Sequence, residues 1–443
     1  MSKAKLWSKG MAIDEKIEQF TIGKDRELDV ELAKVDVLGS LAHVQMLNEE
    51  GIISDEEFPA IKKGLLAILD AVNAGDFTIN EGVEDVHSQV ELLLGKEGGR
   101  IHTGRSRNDQ VLVDLKLFYR VKLDELIKKL ISLSGLFLEI ADKNKDTLMP
   151  GYTHTQVAMT SSFGMWFTAF AEAFKEDAEY LMAIFPIINK NPLGSAAGYG
   201  SSFPLNRTRT TELLGFESMH VNPINAQYGR GKSELIMSQA LANISLNINK
   251  LATDMILYSN ENYRFLSLPS ALTTGSSIMP HKKNPDVFEL IRAYSNSLMN
   301  LPSQITMIVS NLTTGYHRDF QLLKEYLFPA FNKVSELLDL IEYTLPRLKI
   351  TEHIVEDEKY AYLLTVDAVN ELVKKGIPFR DAYLQVGKSI EKGQFQKPSK
   401  LEHTHEGSLG NLGISAIKDD LEKLTKNNPY RKIEDILSKL ISD

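Results

Sequence analysis

The chain has 443 residues, with 50 Lys and Arg against 59 Asp and Glu for a net charge of −9, and 43% hydrophobic and 25% charged residues. These are ordinary proportions for a soluble globular protein of roughly three units at about 150 residues each, and an acidic balance without a clustered basic face argues against a nucleic-acid partner. Cysteine is absent, which excludes disulfides, thiolate catalysis and Cys-ligated metals and fits a reducing cytoplasm.

The start, MSKAKLWSKGMAIDEKIEQF, has lysines but no continuous apolar stretch, so no secretory signal is expected. Nor does any segment reach the ~20 apolar residues of a membrane span. The expectation is a soluble cytoplasmic protein that binds neither membrane nor nucleic acid. Up to about residue 106 the pattern is shorter helices and turns, with polar loops at NAGDFTINEGVEDVHS and GKEGGRIHTGRSRNDQ.

Long periodic runs follow. Over 111–149, Leu112, Leu115, Tyr119, Leu123, Leu126, Leu130, Leu133, Phe137 and Ile140 step by threes and fours. Over 233–262, Met237, Leu241, Ile244, Ile248, Leu251, Met255 and Tyr258 do the same. A third helix-compatible run lies between Pro150 and Pro186, and further helical patterns follow Pro285 and span 328–345. This spacing predicts long amphipathic helices, and strand-like alternation is scarce. The predicted class is all-α: a central long-helix bundle at 107–354 flanked by smaller helical domains at 1–106 and 355–443. Apolar residues outside a single stripe, as in LFYRV and MILY, point to self-association of bundles, with a large monomeric core as the alternative.

Two glycine-containing stretches carry little chemistry as motifs. AQYGRGKS has Ala226 where a phosphate loop needs its first glycine and lacks a preceding strand, so a helix-entry loop is expected. GSAAGYGSSFP does not fit dinucleotide spacing, and its small residues suit a close turn between long helices.

Four other stretches hold reactive groups. HTGRSRNDQV (102–111) reads either as an N-cap through Asn108 or Asp109, or as an anion-binding loop with Arg105, Arg107 and Ser106 at a helix start. GYTHTQVAM places Thr153, His154, Thr155 and Gln156 together, expected at the start of a helix that would tune the histidine. TGYHRDFQLLKEY offers Tyr316, Gln321 and Lys324, whose spacing fits no single stripe. The richest is GSSIMPHKKNPDVFELIR (275–292). Asn284 is expected as N-cap and Pro285 as the first helical residue, with hydroxyls at Ser276 and Ser277, cations at Lys282 and Lys283, and Glu289 placed to orient a histidine from another helix. Such a set suits β-elimination next to a carboxylate, where a base removes a weakly acidic proton and cations hold the developing dianion.

GSSIMPHKKNP resembles the signature of the fumarase/aspartase superfamily. SRNDQV before a long helix, THTQ, the Tyr-x4-Gln-x2-Lys spacing and LVKKGIPFRDAYLQVG resemble the argininosuccinate lyase family within it. The resemblance implies a fumarase/aspartase-like fold and elimination of L-arginine and fumarate from argininosuccinate, a step of arginine biosynthesis, without metal or cofactor. It also implies a homotetramer whose active sites each collect motifs from several chains. By position, Ser276 matches the loop serine commonly assigned to remove the Cβ proton, and His154 the histidine acting as acid or through water. Glu289 matches its orienting partner, and Lys282 the cation that stabilises the aci-carboxylate. Thr153, Asn108, Asn284, Tyr316, Gln321 and Lys324 match substrate-binding positions, Thr21 a substrate-contacting hydroxyl, and Asp85 and His87 a nearby polar loop; Arg107 belongs with them through the SRNDQV loop. The chain departs from the family pattern at His281, where glutamine is usual, in the GSAAGYGSSFPLNR stretch, and over its last forty or so residues. Other superfamily lyases, such as adenylosuccinate lyase or fumarase, and a catalytically silent homologue are the competing readings.

Overall fold

The structure, a computed structural model, describes residues 14–398 and 400–442; the reading of a missing secretory signal rests mostly on residues 1–13 and lies outside them. Four long helices form the centre: Arg107–Lys143 (37 residues), Phe163–Ile188 (26), Lys232–Ser259 (28) and Leu322–Thr344 (23). At 1.5 Å per residue the first extends about 55 Å. The Phe137 ring sits 6.0, 5.9 and 5.7 Å from Phe167, Phe170 and Phe174, locking the first two helices together, and Phe118 lies 4.3 Å from Phe328 of the last. Aromatic pairs of this kind add to the burial term that drives the packing.

One apolar core runs through the bundle and beyond it. The Ala33–Glu49 helix is buried almost all round and joins that core through Leu38, Leu41 and Leu47. The last two helices, Ile414–Asn427 and Tyr430–Ser442, return to it with Leu421, Tyr430 and Ile433. By contrast, Thr365–Lys374 and Phe379–Glu391 pair around a small core of their own, Val369, Ala382 and Val386. Among the described residues no helix is long and apolar enough to cross a membrane.

Two expectations from periodicity need correction. The run between Pro150 and Pro186 is not all helix: Leu148–Thr153 and Gln156–Ser162 form an antiparallel hairpin, and the helix starts only at Phe163, where Ser162 Oγ accepts from Met165 N at 3.0 Å. The physical cause is local. Pro150 has no N–H to give a helix, and Thr153, Val157 and Thr160 are β-branched, so this segment suits a ladder better than a helical turn. The same hairpin ends the preceding pattern early, with Lys143 as the last helical residue and Met149 already in a strand.

Candidate active site

A cavity of about 240 Å³ opens where five chain segments meet. Asp25 and Asp29 come from a short amino-terminal helix, Asp85 and His87 from the start of Val86–Leu94, and Arg107 and Asn108 from the start of the 37-residue helix. Arg230 precedes the Lys232–Ser259 helix, and Tyr316, Arg318, Gln321 and Lys324 lie on the approach to and first turn of Leu322–Thr344. Seven of the residues singled out from the sequence therefore meet here: Asp85, His87, Arg107, Asn108, Tyr316, Gln321 and Lys324.

Ion pairs preset this cavity. Buried Lys324 places Nζ 2.7 Å from Asp25 and 2.5 Å from Asp29. Burial disfavours the ammonium, but the two carboxylates prevail and raise its pKa; for Asp25 burial prevails over Lys324 and pushes the carboxyl up to about 6. His87 Nδ1 lies 2.6 Å from Asp36 and 3.5 Å from Asp114. Burial opposes its charge, yet Asp36 and Asp114 lift its pKa to about 9, making it an imidazolium at neutral pH. Donor atoms of Asp36, His87 and Asp114 lie within 4.8 Å of one another, but Nδ1 is engaged by Asp36 and an imidazolium offers no lone pair, so the cluster is an ion-pair set. Asp85 caps its helix by accepting from Ser88 N at 2.8 Å and pairs with Arg107 at 3.0 Å; despite burial, His87 and Arg107 hold its carboxyl below the usual range.

The SRNDQV loop separates cap from cavity. Ser106, not Asn108 or Asp109, is the N-cap: its Oγ accepts from Asn108 N, while Asp109 Oδ1 accepts from Ser106 N at 2.9 Å. Asp109 Oδ2 accepts from Gly194 N and Ala196 N, both at 2.9 Å, which ties the small-residue turn to this helix start. With Asp109 committed inward, Asn108 and Arg107 are left to line the cavity. Arg105 is buried and donates to Ser40 Oγ and Ile101 O, so it supports the loop from behind. Thr21 joins through its carbonyl, which accepts from Gln321 Nε2 at 3.0 Å and from Arg318 Nη2 at 2.9 Å; its hydroxyl bonds back to Ile17 O at 2.9 Å rather than facing the cavity.

A second set of groups lies outside the cavity. His154 and Thr155 are the two central residues of the hairpin turn, with φ of 53° and 59°, so His154 is at an exposed hairpin tip and not at a helix N-terminus. Both central residues at positive φ is the requirement of a type I′ turn, usually met by Asn-Gly; a β-branched threonine there is an outlier of the kind that clusters at functional sites. Thr153 pairs with Gln156 at its base.

The 275–283 loop is clasped at its neck by an antiparallel bridge, with Thr274 N to Asn284 O at 3.2 Å and Asn284 N to Thr274 O at 2.9 Å. The helix that follows is Asp286–Leu298, flanked by Pro285 without a side-chain cap. Asn284 is thus the loop's clasp rather than the helix's cap, because Thr274 takes up its backbone; Thr274 Oγ1 also bonds the Asp286 carboxylate. Ser276 Oγ accepts from Ile278 N at 3.3 Å and Met279 N at 3.1 Å. Lys282 and Glu289 are exposed, as is His281. Among the described residues, no hydrogen bond or ion pair joins Ser276, His154, Lys282 or Glu289 to one another or to the cavity.

Asp25, Asp29, Glu84, Arg230 and Arg318 line the cavity but were not singled out from the sequence. For Arg230 a signal existed in AQYGRGKS, a charged residue between two glycines at a helix entry. Asp25 and Asp29 carry no such mark, since acidic residues four apart are common on solvated helices.

Long central helices with a charged cavity where several helix starts converge accompany a match to a lyase family. A family model described as lyase matches residues 10–299, and the fold is similar to the crystal structure of EDDS lyase in complex with formate, with a TM-score of 0.71 over 98% of this chain and 97% of that one at 23% identity. The chain is 52% identical to the argininosuccinate lyase of Bacteroides fragilis over 97% of each chain, and 48% identical to that of Parabacteroides distasonis over 99% of each. It belongs to the argininosuccinate lyase family.

Proposed function

We infer that the protein is a lyase that cleaves argininosuccinate to L-arginine and fumarate, serving arginine biosynthesis. The observation that carries this is the end-to-end likeness to curated family members at about half of all positions. The cavity's balance of charges suits such a substrate, which combines carboxylates, an ammonium and a guanidinium.

In this reaction the Cβ–H and Cα–N bonds of the succinyl group break, a C=C bond forms, and the departing nitrogen gains a proton. Ser276 takes the Cβ proton; two backbone N–H groups already donate to its Oγ, which favours the deprotonated oxygen. Lys282 holds the charge that develops on the adjacent carboxylate. His154, oriented by Glu289, handles the second proton, and Thr153 and Asn284 position the succinyl half. Asp85, His87, Arg107, Asn108, Tyr316, Gln321 and Lys324 bind the remainder, with Thr21 shaping the cavity through its carbonyl. These steps call for no cofactor.

The assembly we propose is a homotetramer with sites shared between chains. Two observations support it: among the described residues no hydrogen bond or ion pair joins the proposed proton-transfer groups within one chain, and Leu246 and Leu257 of Lys232–Ser259, Leu290 of Asp286–Leu298 and Met307 of Leu301–Val309 are exposed apolar side chains. Segments 1–106, 107–354 and 355–443 serve as amino-terminal unit, bundle and carboxy-terminal unit, and a cysteine-free chain suits the cytoplasm. The test is fumarate absorbance from purified protein with argininosuccinate, using adenylosuccinate and malate as controls. No fumarate from argininosuccinate overturns the reading. Mixing inactive His154→Ala and Ser276→Ala proteins under conditions that exchange subunits is expected to restore part of the activity, and mixtures that stay inactive defeat the shared site.

A further inference from the structure

Arg230 is the one cavity cation that forms no ion pair among the described residues, though its charge reaches Asp25 and works against the rise of that carboxyl's pKa. It lies between Gly229 and Gly231, and a Cβ on Gly231 (φ 84°) would meet Val309 Cγ1 at 2.6 Å, so the chain turns here only with glycine. The side chain is 4% exposed, and its guanidinium carbon lies 5.6 and 5.5 Å from the rings of Tyr316 and Phe320. Nη2 donates to Phe320 O at 3.3 Å, whereas Nε and Nη1 are buried without a partner. Among the described residues no carboxylate forms an ion pair with it. Every other cavity cation has one: Lys324 has Asp25 and Asp29, Arg107 has Asp85 and Glu84, and Arg318 has Glu84. A buried guanidinium with two idle donors is costly, and an incoming carboxylate removes that cost.

We infer that Arg230 is a specificity residue that anchors the α-carboxylate of the departing amino-acid half of the substrate. Of the substrate's three carboxylates, two sit on the succinyl half, which must meet Ser276 and Lys282 outside this cavity. The third lies beside an ammonium. Asp25 and Asp29, which line the same cavity and are paired with Lys324, favour an ammonium and repel a dicarboxylate. Arginine's planar fork over two aromatic rings fixes the carboxylate's orientation as a lysine would not.

The inference rests on the proposed reaction but is tested by binding. Calorimetry would compare L-arginine with agmatine, its analogue without the carboxylate, on the whole protein and on Arg230→Lys and Arg230→Met, each checked for fold by thermal melting. Wild type is expected to bind arginine more tightly than agmatine. Arg230→Met should lose roughly 10- to 100-fold in arginine affinity, the range of a charge-assisted contact, and Arg230→Lys an intermediate amount. Agmatine affinity and inhibition by fumarate should not change in either. Equal losses for arginine and agmatine, a loss confined to fumarate, or no arginine binding by wild type overturns the anchor. Should Arg230→Met fail to fold, the Arg230→Lys comparison decides alone. Arginine bound with the expected selectivity by a protein that does not cleave argininosuccinate would instead overturn the reaction and leave the anchor standing.

Discussion

The cavity and the hairpin-and-loop pair serve one proposed reaction yet are built in opposite ways. In the cavity, Lys324 is held by Asp25 and Asp29, His87 by Asp36, and Arg107 by Asp85, in largely buried ion pairs of 2.5 to 3.0 Å, so their geometry is complete within one chain. His154 and Ser276 instead sit on a turn tip and a clasped loop whose hydrogen bonds are short-range in sequence, and Lys282 and Glu289 face outward. The contrast teaches that, in the proposed reaction, recognition and proton transfer fall to separable parts of the molecule. Charged groups that must hold a polar ligand are fixed beforehand by burial and pairing. The groups proposed to transfer protons are carried on exposed turns, whose surroundings other copies supply in the proposed assembly.

The sharpest way to break this comparison is Ser276→Ala. Turnover is expected to fall by about 10²–10⁴-fold, the usual contribution of a positioned proton-transfer group, while arginine affinity stays at the wild-type value. Steady-state rates and calorimetry on the same preparation check both. A parallel loss of arginine affinity would mean that the two regions are not separate.

A smaller effect tests how firmly the cavity is preset. His87 has its pKa raised to about 9 from an ordinary 6.5, so its stabilising contribution is fully present below pH 6.5 and is lost as pH rises through 9. At about 1.4 kcal/mol per pKa unit this is of the order of 3 kcal/mol. Urea unfolding of wild type and His87→Gln between pH 6 and 10 should show the stability difference between them shrinking across that window. A constant difference would mean that Asp36 and Asp114 do not hold an imidazolium. Smallest is Ser106→Ala, which removes the cap of the helix bearing Arg107 and Asn108 and is expected to cost about 1 kcal/mol by the same unfolding measurement.

Much of the fold was legible because long helices repeat their apolar residues over many turns, and chance seldom imitates that. The hairpin was not, since 148–162 is too short for periodicity to choose between ladder and helix. Asn284-Pro285-Asp286 looked like a cap because its residue types suit one, and only the pairing of Thr274 with Asn284 showed that the backbone was already in use. The resemblance located His154, Ser276 and the Tyr316–Gln321–Lys324 set, and seven of the expected residues do converge on one cavity. Arg230 escaped because its neighbours matter more than its motif.

By itself, then, the sequence determined the helical class and the family and marked the residues proposed to move protons, all of which rest on local pattern and residue type. Tertiary structure decided which groups share a cavity, because Asp29 and Lys324 lie 295 residues apart and only packing brings them within 2.5 Å. It also decided which cavity cation forms no ion pair among the described residues. Charge balance in a buried site depends on every segment that reaches it, and no single stretch of chain records that sum.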